Sequence, residues 1–134
     1  FVSRGDDSGT HRKELSLWQA ADRAPGGSWY RAVGAGMGTT LNTTSAMNAY
    51  VFTDRASWLK FGNKGRLKLL FSGDPVLFNQ YAYIQVNPNR HKHVKKKLAE
   101  KLENWLCSKK AVRLISGYNI RGQRLFVPNA KLQN

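Results

Sequence analysis

Cysteine is nearly missing from this chain. Cys107 is the only one in 134 residues, which excludes an intrachain disulfide framework and any zinc site built from several cysteines. Long apolar runs are missing as well. No uninterrupted stretch exceeds five apolar residues, far short of the ~20 that a membrane-spanning helix requires. Acidic side chains are scarce, 8 against 22 Lys and Arg, for a formal charge of +14. An initiator Met and a signal-peptide pattern are also lacking, because Phe1-Val2 runs at once into Ser3, Arg4, Asp6 and Asp7. The expectation is a chain that is processed, cut or fragmentary.

What is present suffices for a folded core. The hydrophobic fraction is 41%, with 6 Phe, 5 Tyr and 4 Trp, so wholesale disorder is excluded. The length alone fits one domain. The positive charge is uneven: residues 1–87 carry a net +4 and residues 88–134 a net +10. Most of the excess lies in Arg90-His91-Lys92-His93-Val94-Lys95-Lys96-Lys97, extended by Lys101, Lys109, Lys110 and Arg113. Such a cluster reads either as a phosphate-binding face or as a solvated basic helix surface.

The pattern of turn residues and apolar positions alternates strands with helices, which makes the fold class α/β. Phe1-Val2-Ser3 reads as a strand end, followed by a turn. A helix is expected from about His11 to Asp22, capped by Ser8 or Thr10, with Leu15, Trp18 and Ala21 or Asp22 on its packed face. Thr39 to Asn48 reads as a second helix and Tyr50-Val51-Phe52 as a buried strand. Thr53 is expected to cap a third helix that stops at Gly62. Leu67 to Phe71 and Tyr81 to Val86 read as strands on either side of the Ser72-Gly73-Asp74-Pro75 turn. From Val94, the apolar positions Val94, Leu98, Leu102, Trp105 and Leu106 recur at helical spacing, which places Trp105 in the core. A further helix spans Ala111 to Ser116, and the tail carries Leu125-Phe126-Val127 and a polar end.

The segment richest in chemistry is Arg4-Gly5-Asp6-Asp7-Ser8-Gly9-Thr10. A glycine-bearing turn that feeds a helix leaves backbone N–H groups unpaired at the positive end of the helix dipole, a setting that suits an anion. Ser8 and Thr10 add hydroxyls, and Arg4 adds a forked cation matched to a tetrahedral oxyanion. The plainer alternative is a capped helix with surface charges. No Gly-Lys-Ser/Thr follows, so this is not a Walker phosphate loop, and Gly34-Ala35-Gly36-Met37-Gly38 lacks dinucleotide-fingerprint spacing. Ser8, His11 and Asp6 or Asp7 are the residue types of a triad without a nucleophile elbow, so no enzyme is expected. His91-Lys92-His93 reads as a solvated basic loop: its spacing does not put both rings on one helix face, and the lysines repel a cation. Cys107 reads as half-buried packing.

The motif Phe1-Val2-Ser3-Arg4-Gly5-Asp6-Asp7-Ser8-Gly9-Thr10-His11, with Glu14 and Leu17-Trp18 behind it, resembles the middle of tungstate-binding proteins of ABC importers. Those belong to the type II periplasmic binding protein superfamily, alongside molybdate binders. The resemblance continues in order through Gly36-Met37-Gly38 with Leu41, and through Ala49-Tyr50 with Thr53-Asp54-Arg55. It then runs through Gly73-Asp74-Pro75 with Leu77-Phe78-Asn79, Tyr81 with Val86-Asn87-Pro88, and Leu125-Phe126-Val127-Pro128-Asn129.

The resemblance implies the C-terminal half of a two-lobed α/β protein. Residues 1–80 correspond to the second lobe with half of the ligand cleft. Residues 81–134 correspond to the return crossing strand and the C-terminal helices of the first lobe. The Thr/Ser-rich motif of the family's N-terminal lobe has no counterpart, since Thr43-Thr44-Ser45 lies mid-chain, so that lobe is expected to be missing from this chain.

By the same resemblance, Arg4, Ser8, Gly9 and Thr10 hold the oxyanion, tungstate or molybdate, and Gly36, Met37 and Gly38 line the cleft. Asp6 and Asp7 are expected to cap the turn or orient Arg4 and to point away from the site. Also implied are an extracytoplasmic location, an ABC permease as partner, no cofactor and no cation site. The apolar stripe of the Val94 helix, left without its lobe, invites self-association. The alternative function is a basic domain that binds nucleic acid or an acidic surface through residues 90–113.

Overall fold

The computed structural model describes residues 1–129 of the chain; the polar end of the tail and the last five residues of the 81–134 segment lie outside the described residues. The chain divides into two compact units, Phe1–Phe71 and Ser72 onward.

Three parallel segments organise the first unit. Strand β1 (Val2–Ser3) pairs with β2 (Arg31–Ala32), Val2 opposite Arg31 and Ser3 opposite Ala32. On its other side Val2 bridges Val51, and its N–H donates to the Tyr50 carbonyl at 2.8 Å. The central position of Val2 explains why it is fully buried. Each segment leads into a helix: α1 (Gly9–Ala20) after β1, α2 (Met37–Met47) after β2, and α3 (Arg55–Lys60) after Val51. Helices α1 and α2 therefore begin beyond the carboxyl ends of adjacent parallel strands, where α/β sheets place their ligands.

Helix α2 packs through Met37, Thr40, Leu41 and Thr44, a single helical face. The two buried threonines satisfy their hydroxyls within the helix: Thr44 Oγ1 donates to the Thr40 carbonyl at 2.7 Å and Thr40 Oγ1 to the Gly36 carbonyl at 3.2 Å. Asn48 ends α2 in the left-handed conformation, φ 49°. With Val2 and Leu59, Met37 and Leu41 make up the buried apolar residues of this unit.

In the second unit α4 (Lys96–Leu106) and α5 (Lys109–Gly117) are joined at Ser108, whose side chain accepts from the Ala111 N–H at 3.2 Å. A hairpin of β3 (Asn119–Ile120) and β4 (Gln123–Arg124) follows. Its two turn residues, Arg121 and Gly122, both have positive φ, 53° and 77°, the backbone of a type I′ turn. Among the described residues, Ala111 alone is buried here, while Leu98, Leu102, Trp105, Leu114 and Tyr118 are exposed.

Several sequence expectations need correction. Leu67–Phe71 and Tyr81–Val86 form no strand among the described residues. Apolar, aromatic composition favours extended backbone, but a strand needs a neighbour to complete its ladder. Instead Tyr83 Oη donates to the Ala99 carbonyl of α4 at 3.0 Å, and Gln85 bonds Glu103. Leu69, Leu70, Phe71, Tyr81, Ile84 and Val86 stay exposed. The Tyr50–Phe52 strand shrinks to a single bridge at Val51, with Tyr50 exposed.

Trp105 is 42% exposed rather than core, because nothing in its unit covers the α4 stripe among the described residues. Val94 precedes α4 rather than opening it. Asp54, not Thr53, caps α3, its carboxylate accepting from the Ser57 N–H at 2.8 Å; α3 ends at Lys60, before Gly62. On α1 the packed residue is Glu14, not Leu15, which is exposed; three hydrogen-bond donors meet the carboxylate there and make its burial tolerable. Helices α1, α2 and α5 each begin two residues earlier than expected, and the β3–β4 hairpin is not legible in the sequence, since Arg is an unusual residue for a left-handed turn position.

Candidate functional site

The chain leaving β1 turns at Gly5, where φ is +60° and an added Cβ would lie 2.6 Å from Ala32 Cβ. Only glycine allows both that conformation and that approach to β2. The next residues reverse direction into α1. Ser8 is its N-cap, the hydroxyl accepting from the His11 N–H at 3.3 Å. Ser8 and not Thr10 therefore caps the helix, while the first-turn amides of Gly9 and Thr10 have no protein acceptor among the described residues.

Asp6 holds Arg4. Arg4 Nε donates to Asp6 Oδ2 at 3.1 Å and Nη2 bonds the same oxygen, while Oδ1 accepts from the Ser8 N–H at 3.3 Å. Hydrogen bonding from the Ser8 side chain, and then from Arg4, holds the Asp6 carboxyl down at about 2. The Arg4 side chain is 19% exposed, and Nη1 with the second Nη2 proton remains available as a donor set. As expected, Asp6 caps the turn and orients Arg4. Asp7 differs. It sits at φ 58°, its carboxylate pairs with exposed Arg12 at 2.7–2.9 Å, and its N–H donates to His11 Nδ1. That hydrogen-bonded pairing lowers the Asp7 pKa and raises that of Arg12.

The loop after β2 is laced onto this turn. The Ser3 carbonyl accepts from the Val33 N–H at 3.0 Å, and the Arg4 carbonyl accepts from the N–H groups of Gly34 and Ala35 at 2.8 and 3.2 Å. Those bonds set the start of α2 beside the Arg4–Thr10 turn. Gly36 is the N-cap of α2 and has no side chain to satisfy the first amides, those of Met37, Gly38 and Thr39. Two helix N-termini and one guanidinium thus converge at the carboxyl ends of β1 and β2. All seven residues singled out in the sequence, Arg4, Ser8, Gly9, Thr10, Gly36, Met37 and Gly38, fall in this region. Sequence reasoning named the glycine-bearing turn but missed Ser3 and Ala32 as residues that shape it, and Glu14 beneath it. A signal for Glu14 was present, because it shares a helix face with Trp18, four residues on.

Other features lie apart from this region. A hollow of about 470 Å³, lined by Trp18, Asp22, Arg23, Ala24 and Trp29, sits at the far end of α1. His91 and His93 have ring centroids 6.1 Å apart on an exposed stretch, and Cys107 is a partly exposed free thiol at the end of α4. No helix among the described residues is long and apolar enough to cross a membrane.

A model of the PBP superfamily domain matches residues 1–110, and the chain belongs to that superfamily. It is similar to the tungstate-binding protein TupA of Peptoclostridium acidaminophilum, 42% identical over 132 residues that make up 97% of this chain and 46% of that protein. The tungstate-binding protein TupA of Campylobacter jejuni is 35% identical over 136 residues, 98% of this chain and 51% of that protein. Among solved structures, the tungstate ABC transporter from Geobacter sulfurreducens superposes with a TM-score of 0.70 at 43% identity, over 88% of this chain and 50% of that one. The chain spans about half the length of the curated relatives it matches.

Proposed function

We propose that this chain supplies one wall of the ligand cleft of an extracytoplasmic solute-binding protein. It would serve an ABC-type importer, with tungstate or molybdate as the oxyanion bound. The observation that carries this reading is the convergence of Arg4 with the N-termini of α1 and α2, stitched together by the Arg4 carbonyl's bonds to Gly34 and Ala35. A tetrahedral dianion presents four acceptor oxygens and needs donors rather than covalent chemistry. Arg4, the Thr10 hydroxyl and the amides of Gly9, Thr10, Met37 and Gly38 form such a set, with Ser8 capping the helix beside it and Gly36 leaving the backbone open to approach. Nothing in this chemistry asks for catalysis or a cofactor.

Residues 1–80 then form the second lobe, and residues 81–134 the return crossing and helices that pack on an N-terminal lobe carried by the longer protein. The exposed α4 stripe of Leu98, Leu102 and Trp105 supports that assignment. Where that lobe is absent, the same stripe drives self-association, so size-exclusion chromatography of the isolated chain should show a dimer. The basic stretch 90–113 becomes an outer face rather than a nucleic-acid site.

Calorimetry with tungstate, molybdate, sulfate and phosphate tests the function, on the chain alone and on the chain joined to its N-terminal lobe. The two-lobed protein should bind tungstate or molybdate in preference to the other anions, with little dependence on salt. Absence of any oxyanion binding, or binding of nucleic acid that weakens steeply with salt, would sink the proposal.

A further inference from the structure

We infer that Glu14 is a positioning residue for the anion turn: its buried carboxylate fixes the direction of the Ser3 hydroxyl and, through it, the orientation of the Arg4–Gly5 peptide. The purpose assigned to that role rests on the oxyanion function proposed above. Its mechanism rests on hydrogen-bond geometry alone.

Glu14 is 3% exposed and Ser3 is fully buried. One carboxylate oxygen accepts from Ser3 Oγ at 2.7 Å; the other accepts from Tyr30 Oη at 2.8 Å and Trp18 Nε1 at 3.2 Å. All three donors are neutral, and Glu14 takes part in no salt bridge among the described residues. A carboxylate buried without a cation is costly, and a neutral side chain of similar volume fills space at least as well. Packing is therefore not a sufficient reason for a charged group at this position.

A carboxylate differs from any neutral replacement in that it only accepts. The single proton of the Ser3 hydroxyl must point at Glu14, which turns the Ser3 lone pairs toward the Gly5 N–H, 3.2 Å away. The chain of bonds runs one way, from Gly5 N–H to Ser3 to Glu14. Gly5 N–H and the Arg4 carbonyl belong to the same peptide group. Its carbonyl end is held by the amides of Gly34 and Ala35, and its amide end is held by Ser3 and Glu14. That peptide is thus clamped at both ends, and it is the one from which the Arg4 side chain and the reversal into α1 depart. Glutamine at position 14 would bring an amide donor into a nest of donors, so the Ser3 proton would lose its fixed direction.

The test uses the two-lobed protein with Glu14→Gln, Ser3→Ala and Tyr30→Phe. Two readouts are taken: hydrogen exchange of the Gly5 amide without ligand, and the tungstate Kd by calorimetry. Tyr30→Phe removes a hydroxyl from the same carboxylate but lies off the path to Gly5, so it reports the cost of the buried network alone. Ser3→Ala removes only one hydroxyl and keeps the test usable where Glu14→Gln fails to fold.

Ser3→Ala and Glu14→Gln should speed Gly5 exchange and weaken tungstate binding by about tenfold, while Tyr30→Phe stays within about twofold despite a similar loss in melting temperature. Equal effects of all three variants, or unchanged Gly5 exchange in the first two, overturn the positioning role. Faster Gly5 exchange in a protein that binds no oxyanion upholds the clamp and refutes the proposed function instead.

Discussion

The stretch from Phe1 to Phe71 and the stretch from Ser72 onward use the same local devices and differ in what their apolar surfaces meet. Both have helices started by a side chain that accepts an amide proton, Ser8 and Asp54 in the first and Ser108 in the second. The first pairs its parallel segments side by side beneath its helices and buries Val2, Met37, Leu41 and Leu59, along with the satisfied polar groups of Ser3, Glu14, Thr40 and Thr44. The second has the more strongly amphipathic helices, yet buries only Ala111 among its described residues and leaves Leu98, Leu102, Trp105 and Leu114 exposed. Capping and periodicity are therefore enough to start a helix, whereas a core needs a second surface.

The contrast can be broken at its strongest point. Gly5→Val forces a β-branched residue into a left-handed conformation and against Ala32, and should destabilise the first unit by about 3 kcal/mol in thermal unfolding. A smaller loss than ~1 kcal/mol would mean that the turn relaxes freely. The next largest effect lies in the second unit. Leu102→Ala should cost about 2 kcal/mol in the two-lobed protein, where the proposal has the stripe covered, and under ~0.5 kcal/mol in this chain diluted until it is monomeric. Equal losses in both would remove the case for a covering lobe.

The caps sharpen the comparison from the other side. Asp54→Ala and Ser108→Ala should each cost about 1 kcal/mol, because a cap acts locally whether or not its unit has a core. A much smaller loss at Ser108 would show that α5 frays before its cap matters. The mildest effect is expected with pH. The Asp6 carboxyl is held at about 2 against an ordinary 3.8, so its contribution is fully present above pH 4 and is lost as the pH falls from 4 toward 2. Carboxyl NMR titration should show Asp6 still ionised at pH 4. A midpoint near 3.8 would mean that the Arg4 and Ser8 contacts are not held in solution.

How much of this was legible in the sequence depends on whether a feature is local. Ser8, Gly9 and Thr10 announce a capped helix after a turn, and that is how they fold. The two glycine-bearing segments were each visible, but their adjacency was not. It depends on β1 pairing with β2 across 28 residues and on amides of one loop reaching a carbonyl of the other. Glu14 was visible only as part of the motif, and its burial was not legible because a charged residue is ordinarily assigned outward. Its burial depends on Ser3 of β1 and Tyr30, just before β2, meeting it together with Trp18 of its own helix. Leu67–Phe71 and Tyr81–Val86 have strand composition, but composition carries no information about where a ladder partner lies. Trp105 failed as core for the same reason, since a helical stripe predicts that something covers it without saying which chain segment does so.

The central claim is that Arg4 and the two helix starts beside it hold an oxyanion. It is tested most directly by the tungstate Kd of the two-lobed protein with Arg4→Ala against Arg23→Ala, a control distant from the turn. Loss of a charge-assisted hydrogen bond predicts affinity lower by about 10- to 100-fold for Arg4→Ala, and no change for Arg23→Ala. Unchanged affinity in Arg4→Ala, or an equal loss in both variants, would contradict it.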